Sequence, residues 1–210
     1  MNMNMEKYCI CISRQTVSGG RSLARLLSER LGIKVYDKIT LREECSENGM
    51  SSDYFEHSDN VRNTKGVFSF MRSHLSDGSV SGNIMSDEAA FKFQSDAIRR
   101  ISERESCIFI GRCADYVLRE HGKLFSIFLT ADRNERIKKY ASKKNCSESK
   151  AEILLDRTDK ERSNYYNYYT GKEWGMADNY DICINTSSVS EEACVEIICQ
   201  FMSRKLGIEI

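Results

Sequence analysis

The chain has 210 residues, and its 31 basic and 31 acidic side chains give a formal net charge of zero. This balance excludes a general electrostatic attraction to nucleic acid or to an anionic membrane, so neither is expected as a partner. The length suits one α/β domain with an insertion or a small lid, and a hydrophobic fraction of 40% suffices for a single core.

Membrane-spanning and secreted classes are also disfavoured. No apolar run approaches the roughly 20 residues that a membrane-spanning helix needs, and the polar first residues do not resemble a signal peptide. The nine cysteines include no C-x-x-C pair, and their odd number does not suit a disulfide framework. We therefore expect a cytoplasmic protein without a zinc site, in which the cysteines of apolar runs are small buried hydrophobic residues. These cysteines are Cys9, Cys11, Cys107, Cys183, Cys194 and Cys199.

Five short apolar runs predict β-strands. They cover residues 8–12, 34–36, 107–110, 125–129 and 181–184. Most are apolar throughout, which is typical of strands buried on both faces of a parallel sheet. Leucines at helical spacing predict a helix over 23–31, and the pattern from Cys194 to Phe201 predicts another. Strands that alternate with helices predict a doubly wound α/β fold.

Two regions depart from this alternation. Residues 60–88 are rich in Ser, Gly and Asn, and we interpret them as an insertion that covers a substrate. Residues 132–175 are dense in charged side chains and then in tyrosine. The prediction is one domain over 1–210, with 38–104 as the acceptor-binding and insertion region and 132–175 as the lid region.

The first predicted strand runs into a turn of small residues and then into a helix. This segment is Ser13-Arg14-Gln15-Thr16-Val17-Ser18-Gly19-Gly20-Arg21-Ser22. Backbone N–H groups and the helix dipole converge at such a junction, and glycines let phosphate approach the backbone closely. The order of elements is that of a phosphate-binding P-loop; the competing interpretation is an ordinary glycine-rich turn.

The match to G-x-x-x-x-G-K-[ST] is incomplete, because Gly20 stands where the lysine would be. Arg21 follows one residue later and is the candidate for the missing cation, although its planar fork bonds oxygens in pairs. Ser22 is the candidate for the hydroxyl that binds Mg²⁺. The candidate phosphate-binding residues of this segment are Ser13, Arg14, Ser18, Gly19, Gly20, Arg21 and Ser22.

Further segments give the resemblance to a known family. They are residues 31–38, 108–116, which contain Gly-Arg-Cys-Ala-Asp, 156–162, and 164–175, which contain Tyr-Tyr-Asn-Tyr-Tyr-Thr-Gly-Lys. Together with the glycine-rich turn, they resemble the cytidylate kinase-like family, a branch of the P-loop nucleoside monophosphate kinases. The resemblance covers most of the chain, in the expected order.

The resemblance implies a three-layer P-loop-type fold, with a central five-stranded parallel sheet, helices on both faces and a helical lid over 132–175. It also implies phosphoryl transfer from ATP, with Mg²⁺, to a small nucleotide substrate such as CMP or dCMP. Three positions depart from true cytidylate kinases, since Gly20 replaces a lysine, Cys113 an aspartate and Leu155 an arginine.

Acceptor-binding roles fall on two residues at strand ends. Arg112 ends the third strand, at the edge where open α/β sheets bind ligands, and is expected to bind the acceptor phosphate. Asp37 ends the second strand and is expected to orient an acceptor hydroxyl or a metal-bound water. Its competing interpretation is a helix N-cap.

The charged helix predicted over 147–169 supplies the other candidate catalytic residues, which are Arg157, Asp159 and Arg162. Asp159 and Arg162 are three residues apart and can pair on one face. The competing interpretation is a solvated helix laced with salt bridges. Arg133 and Arg136, on a separate helix, are further candidates from the same side.

Two other features have open interpretations. Asn185 and Thr186 end the last strand, and by resemblance they are expected to lie near the donor nucleotide. The tyrosine cluster, Tyr165, Tyr166, Tyr168 and Tyr169, spreads around its helix, so core packing or a homodimer interface competes with stacking on a base. Three functional hypotheses remain, namely a nucleoside monophosphate kinase, a kinase of the same fold with another small acceptor, and a nucleotide-binding regulatory protein with little turnover.

Overall fold

A computed structural model describes residues 7–47 and 85–209, and within them five parallel strands form one sheet. The strands are β1 (Cys9–Arg14), β2 (Lys34–Tyr36), β3 (Cys107–Ile110), β4 (Leu124–Thr130) and β5 (Ile182–Asn185), in the order β2-β3-β1-β4-β5. All five predicted strands are confirmed. Because β1 pairs with both β3 and β4, the glycine-rich turn that follows it emerges at the centre of the sheet edge.

Seven α-helices lie in the described part of the chain. They are α1 (Gly20–Leu31), α2 (Lys38–Glu47), α3 (Met85–Arg104), α4 (Ala114–Val117), α5 (Arg133–Lys144), α6 (Glu148–Thr170) and α7 (Glu191–Leu206). No helix in this part combines the length and the apolar composition that a membrane crossing requires. Of the predicted 60–88 insertion, only residues 85–88, at the start of α3, fall within the described residues.

The helices cover both faces of the sheet, which confirms the predicted three-layer α/β architecture. Ile10 and Ile12 of β1 point to the face that packs against α1 and α7, where Leu27 and Ile198 are fully buried. The alternate residues, including Cys11, point to the opposite face, which α2, α3 and α4 cover. This alternation follows from the two-residue period of a strand.

The cysteine prediction holds for five of its six positions and is wrong for one. Cys9, Cys11, Cys107, Cys194 and Cys199 are buried, but Cys183 is exposed. The reason is topological, because Cys183 lies on β5, an edge strand of the sheet, where it stays exposed within the described part of the chain. An apolar run cannot by itself distinguish a central strand from an edge strand.

Helices α5 and α6 form the region predicted as a lid and pack against each other through a small apolar cluster. Ile137 and Ala141 of α5 meet Ala151 and Leu155 of α6. Leu155, which stands where the resemblance to true cytidylate kinases implies an arginine, is therefore a packing residue. Helix α6 begins one residue after the predicted start, since Ser147 is its N-cap and accepts a hydrogen bond from the Lys150 N–H.

Candidate functional site

A cleft of about 310 Å³ opens at the carboxyl edge of the sheet. Its walls come from the ends of β1, β2 and β3, the start of α1 and one face of α6. Six of the predicted site residues line it, namely Ser13, Arg14, Arg21, Asp37, Arg112 and Arg162. The topology brings them together, because parallel strands end at the same edge and α6 lies across it.

Arginine dominates the charge of this cleft. Arg14, Arg21, Arg112 and Arg162 line it, and they face the carboxylates of Asp37 and Glu161. Burial and the guanidinium groups of Arg162, Arg21 and Arg112 lower the pKa of Arg14 to about 9. Burial also lowers the pKa of Arg162. Guanidinium groups remain charged at neutral pH, so the cleft concentrates positive charge where an anion would relieve the repulsion.

The turn between β1 and α1 is shaped by its own hydrogen bonds. The Ser18 hydroxyl is buried and donates to the Gln15 carbonyl at 2.9 Å, so it serves the loop rather than a ligand. Thr186 donates to the Ser18 carbonyl at 3.3 Å. Val17 has φ 61° and Gly19 has φ 79°, and the first of these is a strained value for a β-branched residue.

Asp159 of α6 is bonded to this turn. Its Oδ1 accepts hydrogen bonds from the Thr16 N–H at 2.7 Å and from the Thr16 hydroxyl at 2.6 Å. Its Oδ2 accepts from the buried guanidinium of Arg136 at 2.6 Å. Arg162 donates to the Arg14 carbonyl at 2.8 Å. The helix predicted as a lid is therefore fastened to the phosphate loop, and both Asp159 oxygens already have donors.

Asp37 caps α2, which is the interpretation that competed with an acceptor-binding role, and its second oxygen faces the cleft. Its Oδ1 accepts hydrogen bonds from the backbone N–H of Ile39 at 2.8 Å and of Thr40 at 3.2 Å, as an N-cap does. Its Oδ2 lies 3.8 Å from Arg21 across the cleft. The capping bonds orient the carboxylate, so Asp37 presents a fixed oxygen to the cleft.

Arg112 follows β3 in a left-handed conformation, with φ 62°. The buried amide of Gln94, on α3, donates to the Arg112 carbonyl at 3.2 Å and to the Tyr165 hydroxyl at 3.1 Å. The Arg112 guanidinium lies 5.9 Å from the Tyr165 ring centroid. Sequence analysis missed Gln94; the only signal was a polar side chain on the apolar face of α3, between Ala90 and Ala97.

The remaining predicted site residues, Ser18, Gly19, Gly20 and Asp159 among them, do not line the cleft. Arg157 is exposed and pairs with Glu161 at 3.1 Å, one helical turn away. Asn185 donates to Asp132 at 2.9 Å, and Thr186 contacts the loop only through the Ser18 carbonyl described above. The Ser22 hydroxyl donates to the carboxylate of Glu191, at the start of α7.

Two side-chain oxygens near the loop suit a Mg²⁺ ion that is bound together with a nucleotide. Among the described residues, no cluster of three or more His, Cys, Asp or Glu side chains forms a metal site by itself. The Ser22 hydroxyl and the Glu191 carboxylate together offer oxygen ligands beside the loop. Mg²⁺ commonly takes one or two protein oxygens and completes its shell with water and substrate phosphates, so these two residues suit a metal that arrives with a nucleotide.

The tyrosine cluster divides between packing and the cleft. Tyr169 stacks on Phe91 of α3 with a centroid separation of 3.9 Å, whereas Tyr168 is exposed. Tyr165 and Tyr166 line the cleft. Tyr166 is buried and donates to Asp115 at 2.7 Å; burial raises the pKa of that carboxyl. The cluster thus fastens α6 to α3 and α4 and also forms an aromatic wall.

Comparisons with known proteins agree with this architecture. A structure of an uncharacterized protein from Eubacterium ventriosum ATCC 27560 has a TM-score of 0.71 and 24% identity, and the match covers 94% of this chain and 99% of that one. Shikimate kinase from Acinetobacter baumannii in complex with shikimate has a TM-score of 0.51 and 13% identity, with 95% and 94% covered. Shikimate kinase from Bacteroides thetaiotaomicron has a TM-score of 0.50 and 10% identity, with 96% and 99% covered.

The two shikimate kinases share the P-loop kinase fold with the present chain. None of the curated proteins matches it. The model of the cytidylate kinase-like family matches residues 9–188, which include the phosphate loop, all five strands and both helices of the predicted lid. The chain belongs to the cytidylate kinase-like family.

Proposed function

We propose that the chain is an ATP-dependent phosphotransferase with a small phosphorylated acceptor, for which CMP or dCMP is the first candidate. The observation that carries this proposal is the cleft in which four arginines meet the phosphate loop. Phosphoryl transfer depends mainly on positioning and on neutralising the charge of the transferred group, and arginines from separate elements suit that task.

The cleft offers distinct positions for donor and acceptor. The N-terminus of α1 suits the donor phosphates, since the first N–H groups of a helix and its dipole favour an anion there. Mg²⁺ bound with ATP would neutralise phosphate charge, and Ser22 with Glu191 would hold it. Arg112 follows the neighbouring strand β3 at the same edge of the sheet and would bind the acceptor phosphate. Arg162 contacts the loop from α6.

A second acceptor class has its own support. Cys113 stands where the resemblance to true cytidylate kinases implies an aspartate. It is buried, and its thiol cannot offer an oxygen to a cytosine. Asp37 nevertheless presents an oriented carboxylate beside Arg112 and Arg21. A carboxylate paired with arginines suits an acceptor that carries a hydroxyl and an anionic group, and one structural neighbour is a shikimate kinase in complex with shikimate.

One assay decides between these acceptors. Purified protein is mixed with Mg²⁺-ATP and, in turn, with CMP, dCMP, the other nucleoside monophosphates, shikimate and gluconate, and ADP release is followed. CMP- or dCMP-dependent release supports the first proposal, and release with another acceptor alone replaces it with the second. ATP binding by calorimetry without turnover for any acceptor would instead favour a nucleotide-binding regulatory protein.

The same assay includes a variant of the acceptor site. Arg112→Ala should lower kcat/KM for the true acceptor by about 10- to 100-fold, the amount expected when a hydrogen bond to a charged group is lost. The affinity for ATP should change little, because Arg112 is placed on the acceptor side. Arg119→Ala is the matched control, since Arg119 pairs with Glu120 outside the cleft.

A further inference from the structure

The position of the missing lysine is physically occupied by another residue. Gly20 is the first residue of α1, where a P-loop lysine would start its side chain. A Cβ atom on Gly20 would lie 2.8 Å from Cγ of Arg14, 3.2 Å from its Cβ and 3.3 Å from its Cδ. The stem of Arg14 therefore fills the space over Gly20, and no larger residue fits there unless Arg14 moves.

The far end of Arg14 is located by a second glycine. A Cβ atom on Gly111, just after β3, would lie 2.4 Å from Nη1 of Arg14. The side chain thus runs from the start of α1 to the end of β3. It crosses from the phosphate loop to the end of β3, near Arg112. The Arg14 side chain therefore lies between the proposed donor and acceptor positions.

The Arg14 backbone is held by the sheet and by Arg162, and its guanidinium has no anionic partner among the described residues. Arg14 pairs in register with Leu129 of β4, and its carbonyl accepts the bond from Arg162. Within residues 7–47 and 85–209, no carboxylate forms an ion pair with it, and the charges that act on it are those of Arg162, Arg21 and Arg112 and, with a smaller effect, Asp37. A largely buried cation without a partner is costly, so this arrangement favours an anionic ligand.

We propose that Arg14 supplies the cation that Gly20 lacks, and that its guanidinium contacts the oxygens of the phosphoryl group in transfer. This inference rests on the proposed phosphotransferase function. The exchange moves the cation from the first residue of the helix to the last residue of β1. A planar guanidinium also bonds two oxygens at once, which a lysine ammonium does not do in a fixed geometry.

Arg21, the candidate from the sequence, is placed less favourably for this role. Its side chain is 72% exposed, and it lies 3.8 Å from Asp37 at the rim of the cleft. A solvated guanidinium beside a carboxylate stabilises a developing negative charge less than a buried one does. The inference therefore predicts a larger loss of turnover from changing Arg14 than from changing Arg21.

The test uses four variants of the site and one control arginine. Arg14→Met keeps an unbranched stem over Gly20 and removes the charge, and Arg14→Lys restores a charge. Arg14→Ala removes Cγ and Cδ of Arg14, and its combination with Gly20→Lys returns a lysine to the usual position. Arg25→Met is the control, because Arg25 lies on α1 and pairs with Glu29 in solvent.

The expected kinetic result is a loss in kcat rather than in acceptor KM. Arg14→Met should lower kcat by about 100-fold or more, as removal of a preorganised charge-stabilising donor does in other enzymes. The kcat of Arg14→Lys should be at least about tenfold higher than that of Arg14→Met. The kcat of Arg14→Ala/Gly20→Lys should likewise be at least about tenfold higher than that of Arg14→Ala. Retention of kcat within about threefold in Arg14→Met, or no gain from the added lysine, would overturn the inference.

A binding measurement separates this inference from the proposed function. Inorganic pyrophosphate should raise the Tm of the wild-type protein and of Arg25→Met, but not that of Arg14→Met. Without ligand, Arg14→Met should melt higher than wild type, because a buried unpaired charge has been removed. An equal pyrophosphate shift in Arg14→Met overturns the role of Arg14, whereas wild-type inactivity with every acceptor overturns the phosphotransferase alone.

Discussion

Two arginine–carboxylate clusters join the same pair of helices, one turn apart. In the outer cluster, Arg133 of α5 binds Asp156 at 2.7 Å and Glu152 at 2.8 Å. In the inner cluster, Arg136 of α5 binds Asp159 at 2.6 Å. The side chains of the outer cluster are about half exposed, whereas those of Arg136 and Asp159 are 7% and 17% exposed.

The difference in burial gives similar ion pairs different consequences. Water competes for the outer pairs, so they join the helices with little net stabilisation. The inner pair is shielded, and its carboxylate also holds the N–H and the hydroxyl of Thr16. The outer cluster therefore affects two helices, while the inner cluster determines where the phosphate loop lies relative to Arg162.

The largest expected effect comes from breaking the inner cluster. Asp159→Ala leaves the buried Arg136 guanidinium without its carboxylate, so the free energy of unfolding should fall by about 3–5 kcal/mol. Denaturant titration measures this change, and turnover should fall with it because Thr16 loses both bonds. Asp156→Ala, which breaks the equivalent outer pair, is the control. Equal losses in the two variants would contradict the contrast between the clusters.

The fold was largely accessible from the sequence. Buried parallel strands are short continuous apolar runs, and such runs lay at all five strand positions within two residues of their observed bounds. The phosphate loop was also accessible, because a strand, a glycine-rich turn and a helix follow one another directly. Cys183 was misjudged because strand order, which makes β5 an edge, depends on contacts between distant segments.

The side-chain contacts within the site were much harder to predict from the sequence. Sequence spacing suggested that Asp159 pairs with Arg162, which lies 4.0 Å away, but its closer partner is Arg136 on another helix at 2.6 Å. The contact between Arg14 and Gly20 was hidden for a similar reason. In the sequence motif, Gly20 shows only that the lysine is missing. That the Arg14 side chain fills this space is evident only from the three-dimensional structure.

A smaller change sharpens the comparison within the inner cluster. Thr16→Val removes one hydroxyl bond to Asp159 but keeps the backbone N–H bond and the side-chain shape. The free energy of unfolding should fall by about 1.5–3 kcal/mol, the value of a hydrogen bond to a charged group. Measured together with Asp159→Ala in a double-mutant cycle, the two losses should not add, because both remove the same bond. Additive losses would mean that Thr16 acts elsewhere.

The smallest effect tests whether burial also reverses the pH response of a carboxylate. The hydrogen bond from Arg133 lowers the pKa of the exposed Asp156, whereas burial raises the pKa of Asp115, whose visible partner is the Tyr166 hydroxyl. Asp156 therefore contributes stability that is present above its ordinary pKa, near 3.8, and is lost as pH falls through its folded value.

The contribution of Asp115 to stability changes with pH in the opposite direction, because its pKa is raised in the folded protein. This stability is present below the ordinary pKa of Asp and is lost as pH rises through the pKa of the folded state. Asn can still accept the Tyr166 bond without carrying charge. From pH 3 to 7, wild type should therefore lose stability relative to Asp115→Asn and gain it relative to Asp156→Asn. Denaturant titrations at each pH measure both differences, and slopes of the same sign would show that burial does not control these two groups.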